Sequence, residues 1–234
     1  MSRAVRFQIL VIAIAAVAVG AGGPRVVRAQ PQAAVARSAN AVMAEQVLAV
    51  IAERLNRFQG NTAGVSENQL SEAKLAVNWL RTSLTPEGPS RAMLDGLRAD
   101  ADALGNAQQG DERERRALIE ATFDDLRLKR AYCRERPERM NALVRLTVQT
   151  WDGSTEVHQW QVAYVNAPLA ILHRDQFQPF PKFSSPTEVR LPPGRYMVWA
   201  QDPRNAANRG PATEVALGQN GAAEVQADIV VPRP

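Results

Sequence analysis

The chain has 234 residues, with 28 Lys and Arg against 24 Asp and Glu, a formal net charge of +4. The excess lies in the first 29 residues, which carry Arg3, Arg6, Arg25 and Arg28 and no acid; from residue 30 onward 24 basic side chains meet 24 acidic ones. A nucleic-acid partner would need a basic surface on the remaining chain, so none is expected. The single cysteine, Cys133, excludes an intramolecular disulfide.

The chain opens with Arg3 and Arg6, an apolar run from Ile9 to Val19, a break over Gly20–Pro24 and the small-residue end Val27-Arg28-Ala29. This is the pattern of a secretory signal peptide over 1–29, with cleavage expected after Ala29 and a secreted or periplasmic product. The run is shorter than the roughly 20 residues a membrane span needs, so no span is expected after cleavage. No cysteine lies near the cleavage point, which argues against a bacterial lipoprotein. Residues 30–38, rich in Gln, Ala and Pro, read as a flexible mature N-terminus.

Four helical patterns follow over 39–136. Met43, Val47, Val50, Ile51, Leu55 and Phe58 recur at spacings of three and four, one apolar stripe. Ser66 with Gln69 forms a capping box opening a helix with Leu70, Ala73, Val77, Leu80 and Leu84. Ser90 caps a third helix carrying Met93, Leu94, Leu97, Ala101 and Leu104, stopped at Gly105. Asp111 with Glu114 opens a fourth, through about Arg134, with Leu118, Ile119, Phe123, Leu126 and Tyr132. Acids crowd its start, and Arg127, Lys129, Arg130 and Arg134 crowd its end, matching the helix dipole. Short loops between these helices predict a small bundle, or helical hairpins that dimerise.

After Pro137 the period changes from 3.6 to 2. Val144, Leu146 and Val148 alternate with polar residues; Asp152-Gly153 marks a hairpin turn; Trp160, Val162 and Tyr164 form the return strand. A Pro- and Phe-rich stretch runs from Asn166 to Pro186. Thr213–Leu217 and Ala223–Val231 are two more strands around Gly218-Gln219-Asn220-Gly221. Between these lies Leu191-Pro192-Pro193-Gly194-Arg195-Tyr196-Met197-Val198-Trp199-Ala200. Pro193 and Gly194 suit a type II turn, and strands alternate on either side of it. In such corners the Tyr hydroxyl often bonds back to upstream backbone. The expected fold class is α+β: a helical bundle, then over 140–234 an all-β Ig-like or prealbumin-like sandwich of six or seven strands.

Leu191-Pro192-Pro193-Gly194-Arg195-Tyr196-Met197-Val198 resembles the corner of carboxypeptidase regulatory-like (prealbumin-like) and PEGA-like β-sandwich modules, over roughly residues 185–232. Such modules are mostly non-catalytic, so the resemblance implies a binding module without catalytic residues.

The residues themselves offer little chemistry. His158 and His173 lack the neighbouring ligands a metal site uses. His173-Arg174-Asp175 imitates a kinase catalytic loop whose other motifs are missing, and no Gly-x-Ser-x-Gly elbow exists. No phosphate-cradling Gly-rich loop occurs, so no metal and no cofactor are expected. Asp124-Asp125 are adjacent on a helix and read as a solvated face. Cys133 reads as a buried apolar residue or as a disulfide to a second copy. Two features mark candidate binding surfaces. If Tyr196 and Val198 face the sandwich interior, Met197 and Trp199 face outward, either covered by the helices or presented to a partner or a sugar. Phe177, Phe180 and Phe183 form a packed lid or a recognition loop. Trp160 and Tyr164 join Trp199 as candidate stacking platforms. The leading expectation is an exported, non-catalytic interaction or structural protein. The alternatives are a carbohydrate-binding envelope protein and a hydrolase with a site between the two parts.

Overall fold

The computed structural model describes residues 37–58, 64–107, 111–151, 160–172, 178–179 and 186–231. The leader, the Asp152-Gly153 turn, His158, His173, Phe177, Phe180 and Phe183 lie outside the described residues.

Among the described residues four helices precede the strands: α1 (Ala39–Arg57), α2 (Glu67–Thr82), α3 (Arg91–Asn106) and α4 (Glu112–Cys133). Each starts where a short polar side chain accepts a free backbone N–H of the first turn. Ser38 accepts from Ala41 at 3.1 Å, and Ser90 from Met93 at 3.2 Å. Asp111 accepts from Glu114 at 2.8 Å, and Ser66 and Gln69 form both halves of the capping box. The buried stripe of α1 keeps the spacing of three and four but runs through Ala41, Ala44, Leu48, Ile51 and Leu55; of the expected stripe only Ile51 and Leu55 are buried, Met43, Val47 and Phe58 are half-buried and Val50 is exposed. α1 packs on α2 and α3, and α4 packs on α2 and α3. No helix among the described residues is long and apolar enough to cross a membrane.

Among the described residues the second part is all-β apart from one short α-helix and a 3-10 turn at Gln219–Gly221. Its strands are β1 (Val144–Trp151), β2 (Gln161–Asn166), β3 (Gln178–Pro179), β4 (Thr187–Leu191), β5 (Gly194–Asp202), β6 (Asn205–Arg209), β7 (Thr213–Leu217) and β8 (Glu224–Val230). The order β4-β1-β8 makes one sheet, with β1 antiparallel to β4 and parallel to β8. The order β3-β2-β5-β6, with β7 also on β5, makes the other. The α+β class therefore holds: helices first, then two sheets.

Strand pairing departs from the sequence expectation. β1 and β2 do not form a hairpin: β1 pairs with β4 and β8, and β2 with β5 and β3. β7 and β8 likewise belong to different sheets, although a turn with Gly218, Asn220 and Gly221 at positive φ joins them. Alternation fixes which face of a strand is buried, not which strand lies beside it. Besides the short strand β3 and a 3-10 turn at Pro137–Asn141, two larger elements depart from the expectation. A six-residue helix, α5 (Ala167–Leu172), follows β2, and β6 is polar and largely exposed.

The Leu191–Gly194 corner carries the chain from one sheet to the other, from β4 into β5 at the middle of the five-stranded sheet. Gly194 has φ 159°, at the edge of the positive-φ range that L side chains rarely adopt and far from the roughly +80° that a type II turn requires. Tyr196 points inward, packs edge-on against Tyr164 with ring centroids 6.2 Å apart, and donates its hydroxyl to the Pro192 carbonyl at 3.0 Å. Burial raises the Tyr196 phenol well above its ordinary value, so this donor keeps its proton. Tyr196→Phe is expected to cost about 1 kcal/mol in urea unfolding, the usual worth of one such hydrogen bond. An unchanged midpoint would show that the corner does not depend on it.

One buried cluster runs through both parts. It joins Leu48, Ile119, Leu126 and Tyr132 from the helices to Val144, Tyr196, Val198 and Leu217 from the strands. Residues 35–234 accordingly form one compact unit.

Candidate functional site

The corner docks on the helices at a buried charge junction. α3 supplies Asp100, and α4 supplies Asp125 and Lys129 one turn apart. All three side chains are essentially excluded from solvent, at 0 % exposure for both carboxylates and 1 % for the amine. Lys129 Nζ donates to Asp100 Oδ2 at 2.8 Å and to Asp125 Oδ2. Asp125 turns its other oxygen to the sheet, where Oδ1 accepts the backbone N–H of Arg195. Asn166, at the end of β2, donates its amide to Asp125 Oδ2 at 3.2 Å and to the Arg195 carbonyl at 3.4 Å.

Gly194 makes the approach possible. A Cβ on Gly194 would stand 2.6 Å from Asp125 Oδ1 and 3.2 Å from its Cγ. The Pro-Gly corner thus owes its glycine both to the carboxylate beneath it and to a positive φ that L side chains rarely adopt. A Cβ on Gly96 would touch the Lys129 stem at 3.4 Å and Pro192 at 3.9 Å. Outside the junction, the Arg195 guanidinium bonds to Asp124 at 2.5 Å and to Glu214 on β7, so its charge is taken up at the rim.

The electrostatics follow from burial. Desolvation opposes the charge on Lys129, yet Asp100 and Asp125 outweigh it and lift the ammonium to about 12. Desolvation raises the Asp100 carboxyl well above its ordinary value, against the pull of Lys129 and with the help of Asp125. Asp125 is therefore not part of a solvated face. Residues at i and i+1 on a helix diverge, and here Asp124 reaches the rim while Asp125 enters the interior.

The second feature is an open cleft of about 750 Å³. Its floor is the outer face of the five-stranded sheet at Val165, Met197 and Trp199, and α5 contributes Ala170 and Ile171. Its rim carries Asp111, Arg113, Glu114 and Ala117 from the start of α4, facing Arg209, Gly210 and Ala212. Helix and sheet residues thus wall it together.

Trp199 is covered, at 4 % exposure. It packs with Ala163, Val165, Leu169, Ala170 and Met197, so α5 takes a large share in covering it. Its indole N–H donates to Gln201 Oε1 at 3.0 Å, and the Arg209 guanidinium lies 5.5 Å from its ring centroid. Met197 is half-buried beside it. Trp160 is half-buried against the main core, apart from this group, and Tyr164 belongs to the interior with Tyr196. Stacking a sugar on Trp199 would need a ring face that Arg209 and α5 now occupy. Cys133 is fully buried, and burial pushes its thiol to about 12. A bridge to a second copy would require opening the core.

The junction was missed in the sequence although its signal is there. Asp100 falls between Leu97 and Leu104, and Asp125 and Lys129 fall in register with Leu118, Thr122, Tyr132 and Cys133, all buried. Charged residues in an apolar stripe are the mark of a buried pair. No group of three or more metal-binding side chains occurs among the described residues. Compared with known proteins, the chain matches no family model, no curated protein and no solved structure.

Proposed function

We propose that the chain is an exported, non-catalytic interaction protein. Its sandwich would be of the carboxypeptidase regulatory-like kind, and a protein partner would dock in the cleft above Trp199. The observation that carries this reading is the make-up of the cleft. Helix α4 and the outer sheet face share its walls, the floor is apolar, and charges of both signs stand on the rim. An apolar floor with a polar rim is the anatomy of a protein interface. The sheet-switching corner with its Tyr196–Pro192 bond supports the module assignment.

Ala117 is exposed on α4 at the cleft mouth, so a large residue there blocks the cleft without entering the core. The mature chain, offered to envelope extract, is expected to retain a partner and to show slowed hydrogen exchange at Val165 and Met197–Trp199. Ala117→Trp is expected to weaken that binding at least about tenfold with unchanged thermal unfolding. Equal binding by the variant, or protection confined to another face, contradicts the proposal. Turnover of a hydrolase substrate above a heat-killed control would contradict its non-catalytic part.

A further inference from the structure

The charge junction holds more negative charge than its buried cation balances. Asp100 and Asp125 face Lys129 alone, because Arg195 spends its guanidinium on Asp124 and Glu214. An uncompensated carboxylate at zero exposure is costly, and the usual escape is to bind a proton. The hydrogen bonding points the same way. Asp100 Oδ1 and Asn166 Oδ1 are buried acceptors that lack a donor among the described residues. A proton on Asp100 turns one acceptor into a donor, and the Asp125 carboxylate beside it is the acceptor at hand.

We propose that Asp100 keeps a proton beside Asp125 and Lys129, and that this proton latches the Pro-Gly corner onto the helices, so that the joint loosens as pH rises. The parts of the latch are on four elements. α3 gives Asp100. α4 gives Asp124, Asp125 and Lys129, with Tyr132 and Cys133 a turn further on. β2 gives Asn166 and, behind it, Tyr164; β5 gives Arg195 and Tyr196. α5, packed on α3 and α4, brings no titratable side chain. With the proton bound, Asp125 can give one oxygen wholly to the Arg195 N–H while Lys129 is matched by a single negative charge. Without it, two carboxylates repel across one ammonium, and the corner's backbone bond rests on one of them.

The direction of the effect is fixed by linkage. The folded protein holds the Asp100 proton to higher pH than the unfolded chain does. That contribution is therefore complete below the ordinary carboxylate value and is lost as pH rises through the folded one. Lys129, lifted to about 12, and the raised Tyr196 and Cys133 lose theirs only in strong alkali, outside the working range.

The test is urea unfolding of the full mature chain between about pH 5 and about pH 9, for wild type and Asp100→Asn. Between the ordinary carboxylate value and the raised folded value of Asp100, the wild-type folding constant is expected to fall by up to about tenfold per pH unit relative to the variant. Hydrogen-exchange protection of the Arg195 amide, corrected for intrinsic base catalysis, is expected to fall with it. Parallel pH slopes for the two proteins would overturn the proposal. Should Asp100→Asn fail to fold, infrared spectroscopy of wild type decides alone. At neutral pH a protonated-carboxyl band must remain when exposed acids are ionised, and its absence overturns the proposal.

Discussion

Lys129→Ala is expected to remove about 3–5 kcal/mol of folding stability, the cost of stripping one partner from a buried ion pair. The change leaves two carboxylates at zero exposure with no cation between them. Asp125 keeps the Arg195 N–H and the Asn166 amide, but Asp100 loses the one donor it has. Against a total of about 5–15 kcal/mol for a domain, this is a large share. The contribution is charge rather than packing if Lys129→Met, which keeps most of the stem, is almost as damaging. Combining Lys129→Met with Asp100→Leu then recovers much of the loss, since a buried ion pair replaced by apolar side chains is often neutral. Urea denaturation of the three variants measures this. A loss under about 1 kcal/mol for Lys129→Ala would mean that the junction is solvated.

Gly194→Ala is expected to cost about 2–4 kcal/mol, combining overpacking with damaged hydrogen bonds to a charged group. The new methyl would sit 2.6 Å from Asp125 Oδ1. Neither side yields easily. Asp125 is held by Lys129, Asn166 and the Arg195 N–H, and the Gly194 backbone is held by its register with Leu217 and by the Asn166–Tyr196 pair next to it. Part of the penalty comes from the carboxylate and part from the positive φ of Gly194, so Gly194→Ala placed in an Asp125→Ala background should cost less than in wild type but still be destabilising. A Gly194→Ala protein as stable as wild type would show that corner and helices do not meet closely.

Much of this architecture was legible in the sequence, for reasons that differ by element. The helices were marked by apolar spacing and by Ser66, Ser90 and Asp111, because caps and stripes are local properties. The corner was marked by Pro193, Gly194 and Tyr196, and the Tyr196 bond to Pro192 forms as the pattern implies. Strand partners were not legible, because alternation along β1 and β2 is the same whether they pair or lie in opposite sheets. α5 was hidden in a stretch whose prolines and phenylalanines suggested a loop. Trp199 was recognised as the outward residue of its strand, but its main cover is α5, which the sequence had not revealed. Lys129 was assigned to the helix dipole by its position near the end of α4. Its place in the buried stripe, four residues after Asp125, shows a different use: it carries the positive charge against which the sheet's corner is held.

The joining of helices and sandwich through this junction is tested most directly by following unfolding with two reporters. In a Trp79→Phe background the remaining tryptophans, Trp151, Trp160 and Trp199, all belong to the β part, while far-ultraviolet circular dichroism follows the helices. Coincident urea transitions by the two signals are expected, shifting together to lower urea in Lys129→Ala. Two separate transitions, with only one of them moved by Lys129→Ala, would contradict a single unit held at the Pro-Gly corner.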